Sequence, residues 1–179
     1  MYYLIGDNVF KGYKFRLYTN TNQERELDTL LESHRCLYNH MLNMRIASWE
    51  CDRFRVNYCF QSRCFTALRK ESYYFRQLNF SSAQATMRRL DKAYQDFFRR
   101  MKTGAEKVGF PRFKGKNRLD IIEFPTYGDG ISIVGEKLRV KHVGLIRIKQ
   151  HRKIEGKVKT ITVKKRGRKM VFNTVLRNR

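Results

Sequence analysis

Lys11-Gly12-Tyr13-Lys14-Phe15-Arg16-Leu17-Tyr18 is the stretch on which the fold turns. Tyr13, Phe15 and Leu17 fall on one side, and Lys14, Arg16 and Tyr18 on the other. A period of two in aromatic and β-preferring residues predicts a half-buried strand. It stops at Thr19-Asn20, and no further strand pattern follows until about residue 120. A lone strand has two unpaired edges, so it must join strands from the far end of the chain. Residues 120–179 supply them in five short β-rich runs: Ile131-Ser132-Ile133, Leu138–Val140, Ile146–Ile148, Val158–Val163 and Met170–Val175. Gly128, Gly130, Gly135, Gly144, Gly156 and Gly167 mark the turns among them. The expected architecture is α+β: a small, basic, OB-like β barrel split by an inserted helical bundle. Its divisions are a first strand at 10–20, a helical domain at 21–105 and the remainder of the barrel at 106–179. Met1–Phe10 receives no element.

The intervening residues are patterned as helices. Thr21 and Glu24 have capping-box spacing, followed by an apolar stripe of Leu27, Leu30, Leu31, His34, Tyr38, Met41, Leu42 and Trp49. A second helix is expected over Phe60–Phe75, with Cys64 and Leu68 inward. Ser81 and Gln84 repeat the box spacing and open a third helix. Its stripe is Met87, Leu90, Tyr94, Phe97, Phe98 and Met101, and its opposite face carries Arg88, Lys92, Gln95, Arg99 and Lys102. Such a row of donors can follow a phosphate backbone, or can be an ordinary solvated face.

The charge narrows the class of partner. The 179 residues carry a formal +23, and residues 137–179 hold 16 Lys+Arg against Glu155 as the one acid. Those cations alternate with Val, Ile, Leu and Phe, as on a folded basic surface rather than a tail. Hydrophobic content of 41%, with 13% aromatics, is too high for a disordered polybasic segment. No apolar run approaches the roughly 18–20 residues that a membrane span needs, so no membrane is expected as a partner. The start has no secretory-signal pattern, and Cys36, Cys51, Cys59 and Cys64 read as reduced thiols of a cytoplasmic protein. Cys36 and Cys64 are expected in the core. Polyanions remain, nucleic acid first among them.

Gly109-Phe110-Pro111-Arg112-Phe113-Lys114-Gly115-Lys116 is the most informative segment for chemistry. Two aromatics and three cations in eight residues can stack on bases while neutralising phosphates. The same phenylalanines can instead plug a junction between helices and barrel. Asp28, Asp91, Asp96, Asp120 and Asp129 are dispersed over helices and turns, and the cysteines include no C-x-x-C. Neither a metal nor another cofactor is expected, and no nucleophile–base arrangement has support.

An ordered set of motifs then resembles a known family. Phe15-Arg16-Leu17-Tyr18, Tyr38-Asn39-His40 with Arg45, Gln84, Leu90-Asp91-Lys92-Ala93-Tyr94 and Phe97-Phe98 lead into Lys107-Val108-Gly109-Phe110-Pro111-Arg112-Phe113-Lys114. The series is similar to the amino-terminal half of TnpB, the transposon-encoded, RNA-guided DNA endonuclease related to type V CRISPR effectors. The resemblance implies a wedge-type barrel split by a helical recognition domain. It also implies a structured guide RNA and a target DNA duplex as partners. In the family a RuvC nuclease domain, with Mg²⁺-binding carboxylates and a zinc ribbon, follows. Its Asp-Leu-Gly start is expected after Val175 but does not occur there, so the chain alone is not expected to cut DNA. A separate RuvC-nuclease chain is then a further possible partner.

Carried over by position, Tyr58 and Gln84 lie near the family's motif-reading groove, and Arg88, Lys92 and Arg99 would hold the duplex backbone. Phe110, Arg112, Phe113, Lys114, Lys116, Arg118, Lys149, Arg152 and Lys153 would hold RNA. Phe80 departs from the polar or basic residue expected near the groove. Gln suits bidentate contact with adenine, although for Gln84 helix capping alone is an equal explanation. The expected function is an RNA-guided DNA-binding module; the alternative is a guide-independent, sequence-specific DNA-binding protein.

Overall fold

In the computed structural model the lone strand finds its partners at the far end of the chain, as the edge argument requires. The structure describes residues 2–5, 8–167 and 169–177. Among them the strands are β1 (Tyr2–Ile5), β2 (Asn8–Tyr18), β3 (Ile121–Phe124), β4 (Ile131–Val134), β5 (Lys137–Val140), β6 (Gly144–Lys149), β7 (Lys157–Arg166) and β8 (Lys169–Arg177). The helices are α1 (Thr21–Asp52), α2 (Tyr58–Glu71), α3 (Tyr73–Gln77) and α4 (Phe80–Lys102). The α+β class expected from the sequence is therefore what the chain adopts.

One antiparallel sheet runs in the order β3-β7-β8-β2-β6-β5-β4, with β1 paired to β2 outside that path. Along one side β2 pairs with β8 from Phe10 to Leu17, and on the other it pairs with β1 and then, from Arg16, with β6. The inward residues alternate as the period predicts: Tyr13, Phe15 and Leu17 meet Ile146, Ile148, Ile161, Val163, Met170 and Phe172 in a buried core. Gly135 takes a φ of +56° in the two-residue turn between β4 and β5, the hand that a tight hairpin needs.

The two ends of the path, β3 and β4, are consecutive in sequence, and the turn between them bonds to both flanks. Tyr127 N–H donates to the Lys159 carbonyl of β7 (3.1 Å), where the β7–β8 register shifts between Val158 and Thr160. Its hydroxyl accepts from Ile133 N–H at 3.1 Å, and Gly128 N–H donates to the Ile131 carbonyl at 2.9 Å. β1 and β3 have no counterpart in the sequence reading.

The chain divides into two compact units, 1–31 with 120–179, and 32–119. The division falls inside α1, whose first turns bond to the sheet unit: Gln23 donates to the Leu145 carbonyl (2.9 Å) and Asp28 pairs with Lys165. The cap of α1 lies one residue before the Thr21–Glu24 box. Asn20 accepts from Gln23 N–H (2.8 Å) while Gln23 accepts from Asn20 N–H (3.2 Å). Asn is the stronger N-cap, so it takes the reciprocal pair. α4 is likewise capped by Asn79, which accepts from Ser82 N–H at 2.9 Å, and not by Ser81 and Gln84.

Within 32–119 the stripes of α1 and α4 bury Leu37, Tyr38, Met41, Leu42, Met87 and Leu90 around Phe65. Their far ends do not follow: Trp49, Phe98 and Met101 are exposed. So is Cys36, expected in the core, whose neighbour Leu37 takes the inward position, while Cys64 is only half-buried. The expected second helix breaks at Ser72 into α2 and α3, and Gln61 and Phe65, not Cys64 and Leu68, are its buried side chains.

Candidate nucleic-acid interface

Polar side chains lock the helices of unit 32–119. The Arg45 guanidinium on α1 is buried, donates to Gln61 Oε1 of α2 (2.9 Å) and to Asp91 Oδ1 of α4 (2.7 Å), and lies 4.7 Å over the Tyr94 ring. Gln61 in turn donates to the Met41 carbonyl at 2.6 Å. A second tie joins His34 to Thr86 (Nδ1 to Oγ1, 2.8 Å) and to Ser82 (Nε2 to Oγ, 3.3 Å). Burial, with the nearby Arg89 charge adding to it, pushes the His34 imidazole down to about 3, so at neutral pH it is uncharged.

That frame sets the outer face of α2 and α4. Tyr58 opens α2, and the Arg88 guanidinium lies 5.2 Å from the centre of its ring. Gln84, released from capping by Asn79, reaches Ser62 Oγ at 3.5 Å, one helical turn beyond Tyr58. The expected motif-reading residues and the first backbone cation therefore share one patch. Lys92 and Arg99 continue along the exposed side of α4, each near Asp96 (3.9 and 3.0 Å). Such exposed pairs contribute little, about 0.3–0.5 kcal/mol, and are easily exchanged for phosphate. Phe80 stacks on Phe65, with Arg69 5.4 Å from its ring.

The Gly109–Lys116 segment is held from two points. Asn39 accepts from Lys114 N–H (2.8 Å) and donates to its carbonyl (2.9 Å), and Arg35 donates to the same carbonyl (2.8 Å). The Lys114 ammonium is left 5.6 Å over the Tyr38 ring. Phe110 sits edge-on to Tyr94 and Phe97 at 5.4 and 5.2 Å, while Arg112, Phe113, Lys116 and Arg118 are exposed. The family-like Asn39, Arg45, Asp91 and Tyr94 are thus the residues that hold this segment and the helices in place.

In the sheet unit, Lys149, Arg152 and Lys153 are all exposed, and Arg152 also donates to the Gly12 carbonyl (3.0 Å) and covers the Tyr13 ring at 4.4 Å. Sequence reasoning missed what the register adds. Arg16 stands opposite Lys149, Lys137 opposite Arg147, and Arg166 opposite Lys169, all six exposed. Like charges directly across a sheet repel, so this face is poised for an anion. The signal was in the alternating cations, but it needed the pairing to become legible.

Among the described residues no three His, Cys, Asp or Glu side chains gather to hold a metal ion. Asp28, Asp91, Asp96 and Asp120 pair with Lys165, Arg45, Arg99 and Lys164. No described helix is long and apolar enough to cross a membrane.

A family model described as a helix-turn-helix domain matches residues 9–53. In the structure those residues are β2 and one uninterrupted helix, so the matched stretch does not itself form two helices around a turn. A protein of Streptomyces pristinaespiralis named "Putative RNA-guided DNA endonuclease" is 27% identical over 112 residues, which are 62% of this chain and 26% of that relative. The chain thus spans about a quarter of the length of the relative it matches. Together the two matches bear out the resemblance to an amino-terminal part of TnpB.

Proposed function

We propose that this chain is an RNA-guided DNA-binding module. It binds a structured guide RNA and a target duplex beside a short motif, and leaves most sequence choice to base pairing. The observation that carries this is the gathering of Tyr58, Gln84 and Arg88 on one patch continuous with Lys92 and Arg99. A glutamine amide free of capping can read a base edge while the cations hold the backbone on either side. Guide RNA is assigned to Phe113, Arg112, Lys116 and Arg118 in one unit, and to the paired cations around Lys149 in the other. Phe110, Lys114 and Arg152 support those surfaces through the contacts described above. Asp28, Asp91, Asp96 and Asp120 lie apart, each beside its own cation. In this scheme the chain binds and positions, and cutting is done by a RuvC-type nuclease domain or chain beyond these residues. A cytoplasmic site of action goes with such partners.

The test is to sequence the RNA that co-purifies with the chain expressed beside its native flanking DNA. One abundant species is expected, and its addition should create motif-dependent duplex binding. Arg88→Ala with Lys92→Ala should then weaken duplex binding and flatten its salt dependence by about 0.9 per lost phosphate contact. An unchanged slope would mean that this face is merely solvated. Guide-independent, sequence-specific binding is a second reading, which takes its support from the description of the matched family and not from the fold of residues 9–53, a strand and one helix. Specific duplex binding that survives RNase treatment would select it over the first.

A further inference from the structure

The corner between α1 and α2 carries chemistry that the preceding assignments leave unused. Trp49, the chain's single tryptophan, is 43% exposed on the last turn of α1. Phe54 and Phe60, 50% and 41% exposed, meet edge-on at 5.5 Å beside it in sequence. The guanidinium carbons of Arg53 and Arg55 lie over the Trp49 ring, 5.5 and 5.8 Å from its centre, so the two cations and the indole form one cation–π cluster. Glu50 and Asp52 are close in sequence, yet among the described residues neither arginine pairs with a carboxylate.

The corner is a built structure rather than a loose loop. Arg53 adopts a φ of +52°, a helix-ending position where glycine is usual, and Phe54 N–H turns back to the Ser48 carbonyl at 3.1 Å. Val56 is buried beneath it, and Asn57 caps α2 by accepting from Phe60 N–H at 2.9 Å. Half-exposed rings whose covering guanidiniums have no carboxylate partner match a nucleic-acid strand, because the arginines can swing from the indole to phosphates and leave its face to a base. A duplex offers no such free base face. A protein groove would bury the aromatics without needing two unpaired cations. Tyr58 follows the corner directly along the chain, so the corner adjoins the Tyr58–Gln84–Arg88 patch in sequence.

We propose that this corner stacks the unpaired bases of a DNA strand separated next to that patch. The location rests on the proposed duplex contact, but the stacking chemistry stands on the corner alone. Its test therefore uses neither guide nor motif. Short single-stranded DNA, single-stranded RNA and a DNA hairpin duplex are titrated while Trp49 emission is followed. Saturable quenching by single-stranded DNA, with little by the duplex, is expected. In anisotropy with a labelled oligonucleotide, Trp49→Ala should weaken binding roughly tenfold. Arg53→Gly relieves the left-handed backbone, so it should keep or raise the thermal midpoint while lowering affinity several-fold. Quenching by RNA but not DNA, equal quenching by duplex, no quenching by any oligonucleotide, or full affinity in both variants would each overturn the proposal. Loss of motif-dependent duplex binding with stacking intact would instead count against the duplex assignment only.

Discussion

The two units treat arginine in opposite ways. In unit 32–119, Arg45 is sealed from water and its donors go to Gln61 and Asp91. In the sheet unit, Arg16 stands in the open directly across from Lys149. One guanidinium is a strut whose removal takes a donor from both Gln61 and Asp91, the latter keeping its bond from Gln95; the other is repelled by its nearest cross-strand neighbour and gains from an anion. Charge count alone cannot tell them apart, because both add one to the same +23. Burial and partner do.

The contrast can be broken first at Arg45. Arg45→Ala should destabilise the helical unit by about 3 kcal/mol, since it leaves Asp91 and Gln61 without their shared donor. Urea unfolding followed by far-UV dichroism checks this, and a loss under about 1 kcal/mol would demote the strut to an ordinary surface arginine.

His34 sharpens the same side. Its folded-state value near 3 lies below the ordinary 6.5, so the unfolded chain binds the extra proton between those limits. Stability contributed by the neutral ring is complete above about pH 6.5 and falls as the pH drops toward 3. The loss is roughly 2 kcal/mol by pH 5. His34→Gln, which keeps polar partners for Ser82 and Thr86 without titrating, should flatten that part of the stability–pH curve. A parallel curve would show that other groups set the acid limit.

The smallest effect is expected on the sheet. Lys149→Glu replaces a repulsive cross-strand pair by an attractive one and should raise stability by roughly 0.5 kcal/mol. RNA affinity should fall at the same time, with a shallower salt slope. Unchanged RNA binding would break the contrast, because Arg16 and Lys149 would then be decoration.

How far this could be read from the sequence follows the same divide. The sheet was legible where Tyr13, Phe15 and Leu17 alternate with Lys14 and Arg16, because burial and exposure take turns. Its shared basic face was not, since register links Arg16 to Lys149 across most of the chain. In the helical unit the stripes gave the core through Leu42 and Leu90 but overran to Trp49 and Met101, where the helices leave their neighbours. Arg45, Gln61 and His34 are polar residues inside, where hydropathy points the wrong way for Arg45 and Gln61. The family-like motifs include Asn39 and Arg45 without indicating what either does. Their hydrogen bonds show them holding Lys114 and the helices, which is why a motif can be specific without touching a ligand.

Tyr127 has one more consequence. β4 ends the sheet path, and an end strand offers unsatisfied amides and carbonyls to any other extended chain. Here one phenol occupies the outward Ile133 N–H, and the adjoining turn takes the Ile131 carbonyl. A side chain of the connecting turn therefore acts as a stopper against self-association. Its loss would show less in the melting temperature than in how concentrated a solution the protein can survive.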